Sequence, residues 1–280
     1  MNKKNVAILA AVIGVILIGA YAGGLFGNGG EPEIQTLSVQ GSTTVLPIVQ
    51  KAAEKYMDLH ANVNIQISGG GSSVGVKSAG EGTADIGMAS RELKDTEKGE
   101  YPNLKPIPVA RDGIALIVHP SNSISSLTLE EVKGIYDGTY ANWSELGGKD
   151  VEIVVVGRDS ASGTREFFWE HVMRKEDFVA GMLEKNSNGA VKQTVTQTPG
   201  AIGYVGLGYI DSTIKALTIK VGDKEIEPTI ENVKNGLYPI SRSLYLLING
   251  EPEGLARDFI DFILSDEGQS IVEEEGFVPV

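Results

Sequence analysis

The sequence predicts an α/β fold of two lobes, built from parallel strands with flanking helices and enclosing a ligand cleft. Strand-like and helix-like segments alternate along residues 36–280, a pattern typical of parallel sheets covered by helices. Two apolar strands, 113–118 and 243–248, lie far apart in the chain, and turn residues flank each of them. If both cross between the lobes, residues 34–112 and 242–280 form lobe 1 and residues 113–241 form lobe 2.

Periodicity and end signals define the individual elements. Residues 46–59 repeat their apolar side chains at helical spacing, with Pro47 near the first position. Thr128 and Glu131 form a capping box, and two prolines limit strand 105–110 to a sheet edge. In chain order we expect strands over 36–40, 63–68, 84–88, 105–110, 113–118, 153–156, 201–205 and 243–248, and helices over 46–59, 75–79, 128–136, 166–173, 255–264 and 266–275.

The bulk composition excludes several classes of protein. With 41% hydrophobic and 22% charged residues, the chain is not wholly disordered. It contains no Cys, which excludes disulfides, thiol catalysis and Cys-ligated metal sites. Without Lys3 and Lys4 the 24 basic residues become 22, against 37 acidic residues, a net charge of −15. This balance disfavours nucleic acid as a partner, and it requires any anion site to work through short-range, oriented donors.

Residues 1–30 predict an export segment followed by a linker. Lys3 and Lys4 precede an uncharged apolar run over residues 6–26, and Ala20-Tyr21-Ala22 offers a small-x-small cleavage pattern. The run is also long enough to remain as an uncleaved membrane anchor. We therefore expect a protein outside the cytoplasmic membrane, either secreted or periplasmic after cleavage, or anchored by residues 6–26.

Four segments rich in Ser, Thr, Gly and Arg follow predicted strands, and they predict an anion site. They are residues 41–44, 68–75, 88–92 and 157–166. Free N–H groups at helix N-termini attract anions, and an Arg fork suits an oxyanion. Taken singly, each segment also fits an ordinary helix cap or a solvated arginine. The candidate binding residues are Ser42, Thr43, Thr44, Ser72, Ser73, Ser90, Arg91, Arg158, Ser160, Ser162, Gly163 and Thr164; none is a His or Cys, and we expect no catalytic residue, metal or cofactor.

Through these segments the chain resembles the phosphate-binding proteins of phosphate ABC transporters along residues 34–280. The resemblance implies a type II periplasmic-binding-protein fold that closes on inorganic phosphate and delivers it to an ABC transporter permease in the membrane. It also implies a non-enzymatic protein, and it places the phosphate donors on Thr43, Thr44, Ser72, Arg158, Ser162, Gly163 and Thr164. The motifs that carry it are GSTTVLP (41–47), SGGGSSVGVK (68–77), IGMASRE (86–92), GRDSASGTRE (157–166), PGAIGYV (199–205) and YPISRSLYLLI (238–248).

The third segment departs from the family pattern. Some members carry an Asp there that accepts the phosphate proton, whereas this chain has Ser90-Arg91. Arg91 would add a donor in its place. Asp159 is a candidate proton acceptor, or a partner for Arg158. The departure leaves another tetrahedral oxyanion (sulfate, tungstate or molybdate) as an alternative ligand.

Further alternatives come from other classes of protein. Gly71, Ser73 and Gly75 match the G-x-S-x-G nucleophile elbow, which allows an exported serine hydrolase, although the three His show no local catalytic context. A sensor or a surface adhesin could share the same fold. We expect a monomer, and Asn142-Trp143-Ser144 is a glycosylation sequon.

Overall fold

Strands and helices alternate through most of the chain. The computed structural model describes residues 33–280, so the predicted export segment and linker lie outside the described residues. In chain order the elements are β1 (Gln35–Gly41), α1 (Leu46–Leu59), β2 (Val63–Ser68), α2 (Ser72–Gly80), β3 (Ile86–Ala89), α3 (Asp95–Glu100), β4 (Leu104–Val118), β5 (Ser126–Thr128), α4 (Leu129–Tyr136), β6 (Val154–Arg158), α5 (Gly163–His171), β7 (Leu183–Lys185), α6 (Asn188–Gln197), β8 (Ala201–Gly206), β9 (Lys215–Ala216), β10 (Thr218–Val221), β11 (Lys224–Ile226), α7 (Ile230–Lys234), β12 (Ser241–Asn249), α8 (Gly254–Leu264) and α9 (Asp266–Glu274).

The main sheet runs through both lobes in the order β2-β1-β3-β12-β4-β8-β6-β7. We call the part with β1, β3 and β12 the first lobe and the part with β6, β7 and β8 the second lobe. Strands β1 and β3 are parallel, as are β6 and β8. The predicted parallel arrangement holds for these pairs, whereas β12 is antiparallel to β3 and β4, and β4 is antiparallel to β8. The two strands that join the lobes, β4 and β12, therefore run antiparallel to the neighbouring strands of the lobes.

Strand β4 is the first connection between the lobes. The sequence predicts two strands here, but a single strand covers Leu104–Val118. Its first half pairs with β12 at the edge of the first lobe, which is where a sheet tolerates Pro106 and Pro108. Its second half pairs with β8 in the second lobe. Since Asp112 lies opposite Arg242 on β12, the two connecting strands pass side by side at the middle of the molecule.

Each lobe has its own hydrophobic core. In the first lobe Ile48 of α1 and Phe259 of α8 pack with the apolar residues of β1, β3 and β12. In the second lobe Phe168 of α5 and Tyr204 of β8 stack at 4.3 Å between ring centroids. The division at residues 112/113 and 241/242 remains a prediction, and Val278 near the C-terminus packs with the core of the second lobe.

Local end signals determine several helix boundaries. Helix α1 has the predicted bounds. The capping box of α4 is present, since the Glu131 N–H donates to Thr128 Oγ1 at 3.1 Å and the Thr128 N–H donates to Glu131 Oε2 at 2.7 Å. Helix α2 begins at Ser72, three residues before its predicted start. None of the helices between residues 33 and 280 has the length and apolar content needed to span a bilayer.

The predicted sequon lies at the start of a short 3-10 helix after α4. Asn142 Oδ1 accepts a hydrogen bond from the Ser144 N–H at 2.9 Å. The amide nitrogen, which would carry a sugar, donates to Asp150 Oδ1 at 2.9 Å. Glycosylation at Asn142 remains a prediction, and it would have to replace this contact.

Candidate anion-binding site

Four helix N-termini meet at one buried point between the lobes. Helices α1 and α2 approach from the first lobe, and α5 and α6 approach from the second. The loops before α1 and α5 follow the carboxyl ends of β1 and β6, where open α/β sheets place their ligands. The polar side chains at this point are at most 6% exposed, and they are Ser42, Thr43, Thr44, Ser72, Ser90, Ser162, Thr164 and Asn188.

Side chains from the two lobes are in direct contact here. Thr44 Oγ1 lies 3.1 Å from Thr164 Oγ1. Ser72 Oγ lies 3.3 Å from Ser90 Oγ, and a Cβ at Gly163 would lie 2.2 Å from Ser72 Oγ. Only a residue without a side chain allows α5 to approach α2 this closely.

The N-terminus of α5 presents free donors to this point. Ser162 Oγ accepts from the Arg165 N–H at 3.2 Å and caps the helix. Within the described chain, no hydrogen-bond acceptor faces the N–H groups of Gly163 and Thr164. Free N–H groups and the helix dipole both favour a negative charge at this end.

Arg158, the last residue of β6, supplies a buried positive charge. Its side chain is 1% exposed, and it donates to the carbonyl oxygens of Lys185 and Asn186, both at 3.2 Å. It forms no ion pair among residues 33–280. Burial lowers the pKa of the guanidinium, but an arginine keeps its charge in proteins. A buried charge without a counterion is costly, and an anionic ligand would remove that cost.

Three buried residues of this site were not identified in the sequence. Arg242 on β12 and Asp112 on β4 form an ion pair, with 2.9 Å between Nη2 and Oδ2. Burial raises the pKa of the Asp112 carboxyl, and the Arg242 guanidinium and the Leu207 N–H oppose that shift. Asn188 Nδ2 donates to Thr43 Oγ1 at 3.1 Å and to Thr44 Oγ1 at 3.0 Å. Ser187 caps α6, and this capping residue is the one local signal that could have pointed to Asn188.

Arg91 does not supply a free donor to the cluster, contrary to the expectation for the third segment. Its two terminal nitrogens donate to the two carboxylate oxygens of Glu97, both at 2.7 Å, so its charge is neutralised. Nη2 also donates to Ser73 Oγ at 3.2 Å, which places Ser73 at the edge of the cluster. Ser160 is exposed and lies outside the cluster.

Asp159 does not form an ion pair with Arg158, which was one of the two roles that the sequence allowed for it. Its backbone N–H donates to the Lys185 carbonyl at 3.1 Å. Its Oδ1 is buried without a hydrogen-bond partner in the described part of the chain. Its role as a proton acceptor remains a prediction.

The residues around Ser73 do not form a hydrolase triad. Each histidine is occupied elsewhere: His60 contacts the Tyr56 carbonyl, His119 contacts Ser121, and His171 contacts the Phe167 carbonyl. No group of three or more potential metal ligands occurs between residues 33 and 280. The arrangement can therefore bind an anion through many donors, and no histidine of the described chain contacts a hydroxyl group of the cluster as the base of a triad would.

Known proteins match this chain over most of its length. A family model described as a PBP superfamily domain matches residues 27–267. The phosphate-binding protein PstS of Bacillus subtilis (strain 168) is 34% identical over 290 residues, covering 99% of this chain and 95% of that protein. PstS of Pseudomonas aeruginosa is 36% identical over 269 residues, covering 87% of this chain and 83% of that protein.

Solved structures show the same similarity. A putative phosphate ABC transporter substrate-binding protein from Clostridium perfringens, with bound phosphate, has a TM-score of 0.83 and 41% identity, covering 88% of this chain and all of that one. An ABC-type phosphate transport receptor from Vibrio cholerae has a TM-score of 0.71 and 32% identity, covering 87% of this chain and all of that one. The fold is therefore the type II periplasmic-binding-protein fold, and the chain belongs to the PstS family of phosphate-binding proteins within the PBP superfamily.

Proposed function

We propose that this protein binds inorganic phosphate at the cluster between the lobes and acts as the substrate-binding component of a phosphate ABC importer. Arg158 carries the proposal, because it is a buried cation that forms no ion pair within residues 33–280, and it lies at the cluster where four helix N-termini meet. A dianion is the ligand that this surplus of positive potential and N–H donors would stabilise. The relatives named as phosphate-binding proteins support the same ligand.

The proposed donors come from both lobes. Of the predicted residues, we exclude Arg91, which is paired with Glu97, and Ser160, which is exposed. Ser42 braces its own loop, since its Oγ accepts from the Thr44 N–H at 3.2 Å. The groups that we propose to contact phosphate are Thr43, Thr44, Ser72, Ser90, Arg158, Ser162, Gly163 and Thr164.

Binding and lobe closure are coupled in this proposal. Thr44 and Ser72 approach from the first lobe, and Arg158 and Thr164 approach from the second. An anion held by both sets stabilises the closed form over the open one, by as much as its affinity for the two forms differs. The closed form then delivers phosphate to a membrane permease, as the Clostridium perfringens relative's description as an ABC transporter substrate-binding protein supports.

The protein would act outside the cytoplasmic membrane. The apolar run over residues 6–26 supports export, and it is compatible with a cleaved leader as well as with a retained anchor. The net charge of −15 beyond residue 30 supports a protein that does not bind nucleic acid. We propose that it works as a monomer, since one chain supplies all the donors of the site.

Calorimetric titration tests this function. Protein stripped of ligand by unfolding and refolding is titrated with phosphate and with sulfate near neutral pH. We expect micromolar or tighter phosphate binding, and sulfate binding at least a hundredfold weaker. Arg158→Met should weaken phosphate binding by about a hundredfold or more, since it removes a desolvated charge from the site. Arg257→Met, on α8 outside the site, is the matched control. Absence of phosphate binding by the unchanged protein would refute the proposal.

A further inference from the structure

We propose that Arg242 and Asn188 are positioning residues that fix the hydroxyl groups of Thr43, Thr44 and Thr164 as hydrogen-bond donors toward the anion. Asp112 would hold Arg242 in place for this role. The inference rests on the proposed function, because it concerns how the same site recognises its ligand. It adds residues that approach the ligand only through other side chains.

The hydroxyl oxygen of Thr44 faces two hydrogen-bond donors. Its oxygen accepts from Asn188 Nδ2 at 3.0 Å and from Arg242 Nη2 at 3.3 Å. A hydroxyl oxygen has two lone pairs and one proton. Nη2 carries two protons and also lies 2.9 Å from Asp112 Oδ2 and from Thr164 Oγ1, so Thr44 shares the Nη2 protons with these acceptors. The two donors direct the Thr44 proton away from themselves, either to Thr164 at 3.1 Å or to a ligand.

The hydroxyl of Thr164 is constrained in the same direction. Its oxygen accepts from Arg242 Nη2 at 2.9 Å. If Thr44 donates to its second lone pair, Thr164 has only a proton to offer, and the anion receives that proton. If the anion takes the Thr44 proton instead, Arg242 still directs the Thr164 proton away from itself and toward the ligand. Because Thr44 lies in the first lobe and Thr164 in the second, this chain of donors forms only when the lobes are closed.

The orientation of Asn188 follows from its own neighbours. The Gly206 N–H donates to Asn188 Oδ1 at 3.3 Å, so the amide oxygen faces β8. The amide nitrogen therefore faces the threonines, and it donates to Thr43 Oγ1 as well as to Thr44. Asn188 is completely buried, and this arrangement satisfies both ends of its side chain.

Asp112 fixes the position of Arg242 between the two lobes. Its Oδ2 accepts from Nε at 3.2 Å and from Nη2 at 2.9 Å. Arg242 Nη1 also donates to the Ser90 carbonyl at 2.9 Å. A Cβ at Gly206 would lie 3.1 Å from both Asp112 carboxylate oxygens, so the pair is packed tightly on that side.

The consequence is a preference for a particular ligand chemistry. Threonine hydroxyls can donate or accept, and left free they would bind sugars and alcohols as readily as anions. Fixed as donors, they favour unprotonated oxygens and penalise a ligand that presents an O–H at the same positions. Arg242 and Asn188 would thus adapt a neutral hydroxyl site to an oxyanion.

A double-mutant cycle between Asn188 and Thr44 tests this role in the full-length chain, with inorganic phosphate as the probe in calorimetry. Asn188→Leu keeps the side-chain size and should weaken phosphate binding by about tenfold or more, in line with the effect of outer partners at other sites. In a Thr44→Val background the same change should weaken binding by less than about threefold, because the main hydroxyl to be oriented is gone. Gln193→Leu, exposed on the same helix, is the control and should leave affinity unchanged.

A second variant tests Arg242 without leaving a buried unpaired charge. Replacing both Asp112 with Leu and Arg242 with Met removes the ion pair, a change that folded proteins often tolerate. We expect phosphate binding to weaken by about tenfold or more. The control Arg111→Met, on strand β4 beside Asp112, should bind phosphate normally. The inference would be overturned if Asn188→Leu weakened binding equally with Thr44 and with Val at position 44. It would also be overturned if the variant lacking both Asp112 and Arg242 bound phosphate with normal affinity. Failure of the unchanged protein to bind phosphate would refute the proposed function instead.

Discussion

At the scale of single residues, the approach of Gly163 to Ser72 sets how tightly the lobes can close. A Cβ at residue 163 would lie 2.2 Å from Ser72 Oγ and 3.0 Å from Ser90 Oγ. Gly163→Ala should therefore weaken phosphate binding by about tenfold or more, because the donors of α5 cannot reach their closed positions.

Gly189→Ala is the matched control for this substitution. Gly189 also lies in the first turn of a helix, α6, and nothing is within 4 Å of a Cβ built there. It should leave affinity unchanged and raise stability by about 0.4–1 kcal/mol. Titration calorimetry and thermal unfolding of both variants provide the comparison, and equal affinities would contradict the role assigned to Gly163.

The sequence predicts residues of the site only where a local signal exists. Thr43, Ser72, Arg158 and Thr164 lie where a strand ends or the following helix begins, so their place in the cluster could be expected from the chain alone. Arg242 and Asp112 lie inside long strands, where nothing local marks a binding residue. Their contacts depend on two strands meeting 130 residues apart in sequence, and tertiary structure alone provides that information.

At the scale of elements, α3 and α5 are joined across the cleft by one ion pair. Lys94 Nζ lies 2.9 Å from Glu166 Oε2, with side chains 40% and 25% exposed. A partly exposed pair contributes about 0.2–1 kcal/mol, so Lys94→Glu should speed phosphate release by roughly twofold to fivefold. Release rates can be followed by stopped-flow tryptophan fluorescence.

Exchanging the two charges distinguishes a specific contact from general electrostatics. Lys94→Glu combined with Glu166→Lys should restore the release rate, because the pair is rebuilt with opposite polarity. Lys51→Glu, which alters an exposed charge of α1, should not change release. If the variant with both charges exchanged releases phosphate as fast as Lys94→Glu alone, the ion pair between Lys94 and Glu166 does not slow release.

Helix α3 also holds Arg91 through Glu97, and this contact predicts a pH dependence of stability. Burial raises the pKa of the Glu97 carboxyl, but the hydrogen bonds from Arg91 and the Lys94 N–H outweigh it, so the pKa lies below its ordinary value of 4.5. A carboxyl whose pKa is lower in the folded state stabilises the fold above the unfolded value and loses that contribution as the pH falls through the folded value.

The comparison is between the unchanged protein and Glu97→Gln. Near neutral pH the variant should be less stable by about 1.5–3 kcal/mol, the usual range for hydrogen bonds to charged groups. Well below pH 4.5 the difference should approach zero, because protonated Glu and Gln are both neutral. Urea unfolding at the two pH values measures the difference in unfolding free energy between the two proteins. A difference that does not change with pH would exclude the Arg91–Glu97 ion pair as its source.

Element boundaries were predictable where the chain carries capping or periodic signals. Helix α1 and strand β2 have the predicted bounds, and Ser265 caps α9 at its predicted start, Asp266. Helix α6 was missed because its sequence, NGAVKQTVTQ, contains one Gly and two Thr and few strong helix formers. Packing of Val191 and Val195 against the second lobe stabilises it instead.

At the scale of the whole molecule, the net charge opposes the ligand. Beyond residue 30 the chain carries −15, whereas the buried positive charge of Arg158 acts only within the cleft. A phosphate dianion approaching from solvent is therefore repelled at long range and attracted at short range. This is the opposite of the electrostatic steering that speeds the binding of many charged ligands.

The sign of the salt dependence of association tests this balance. The screening length shrinks from about 30 Å at 0.01 M salt to about 8 Å at 0.15 M. Added potassium chloride should therefore screen the repulsion and raise the association rate constant for phosphate, by roughly twofold or more over this range. The dissociation rate should change little, because the ligand is then enclosed by buried donors that salt screens weakly. Stopped-flow measurements at several salt concentrations separate the two constants. An association rate that falls with added salt would mean that the field at the cleft mouth is positive, and that the acidic surface does not govern the approach of the ligand.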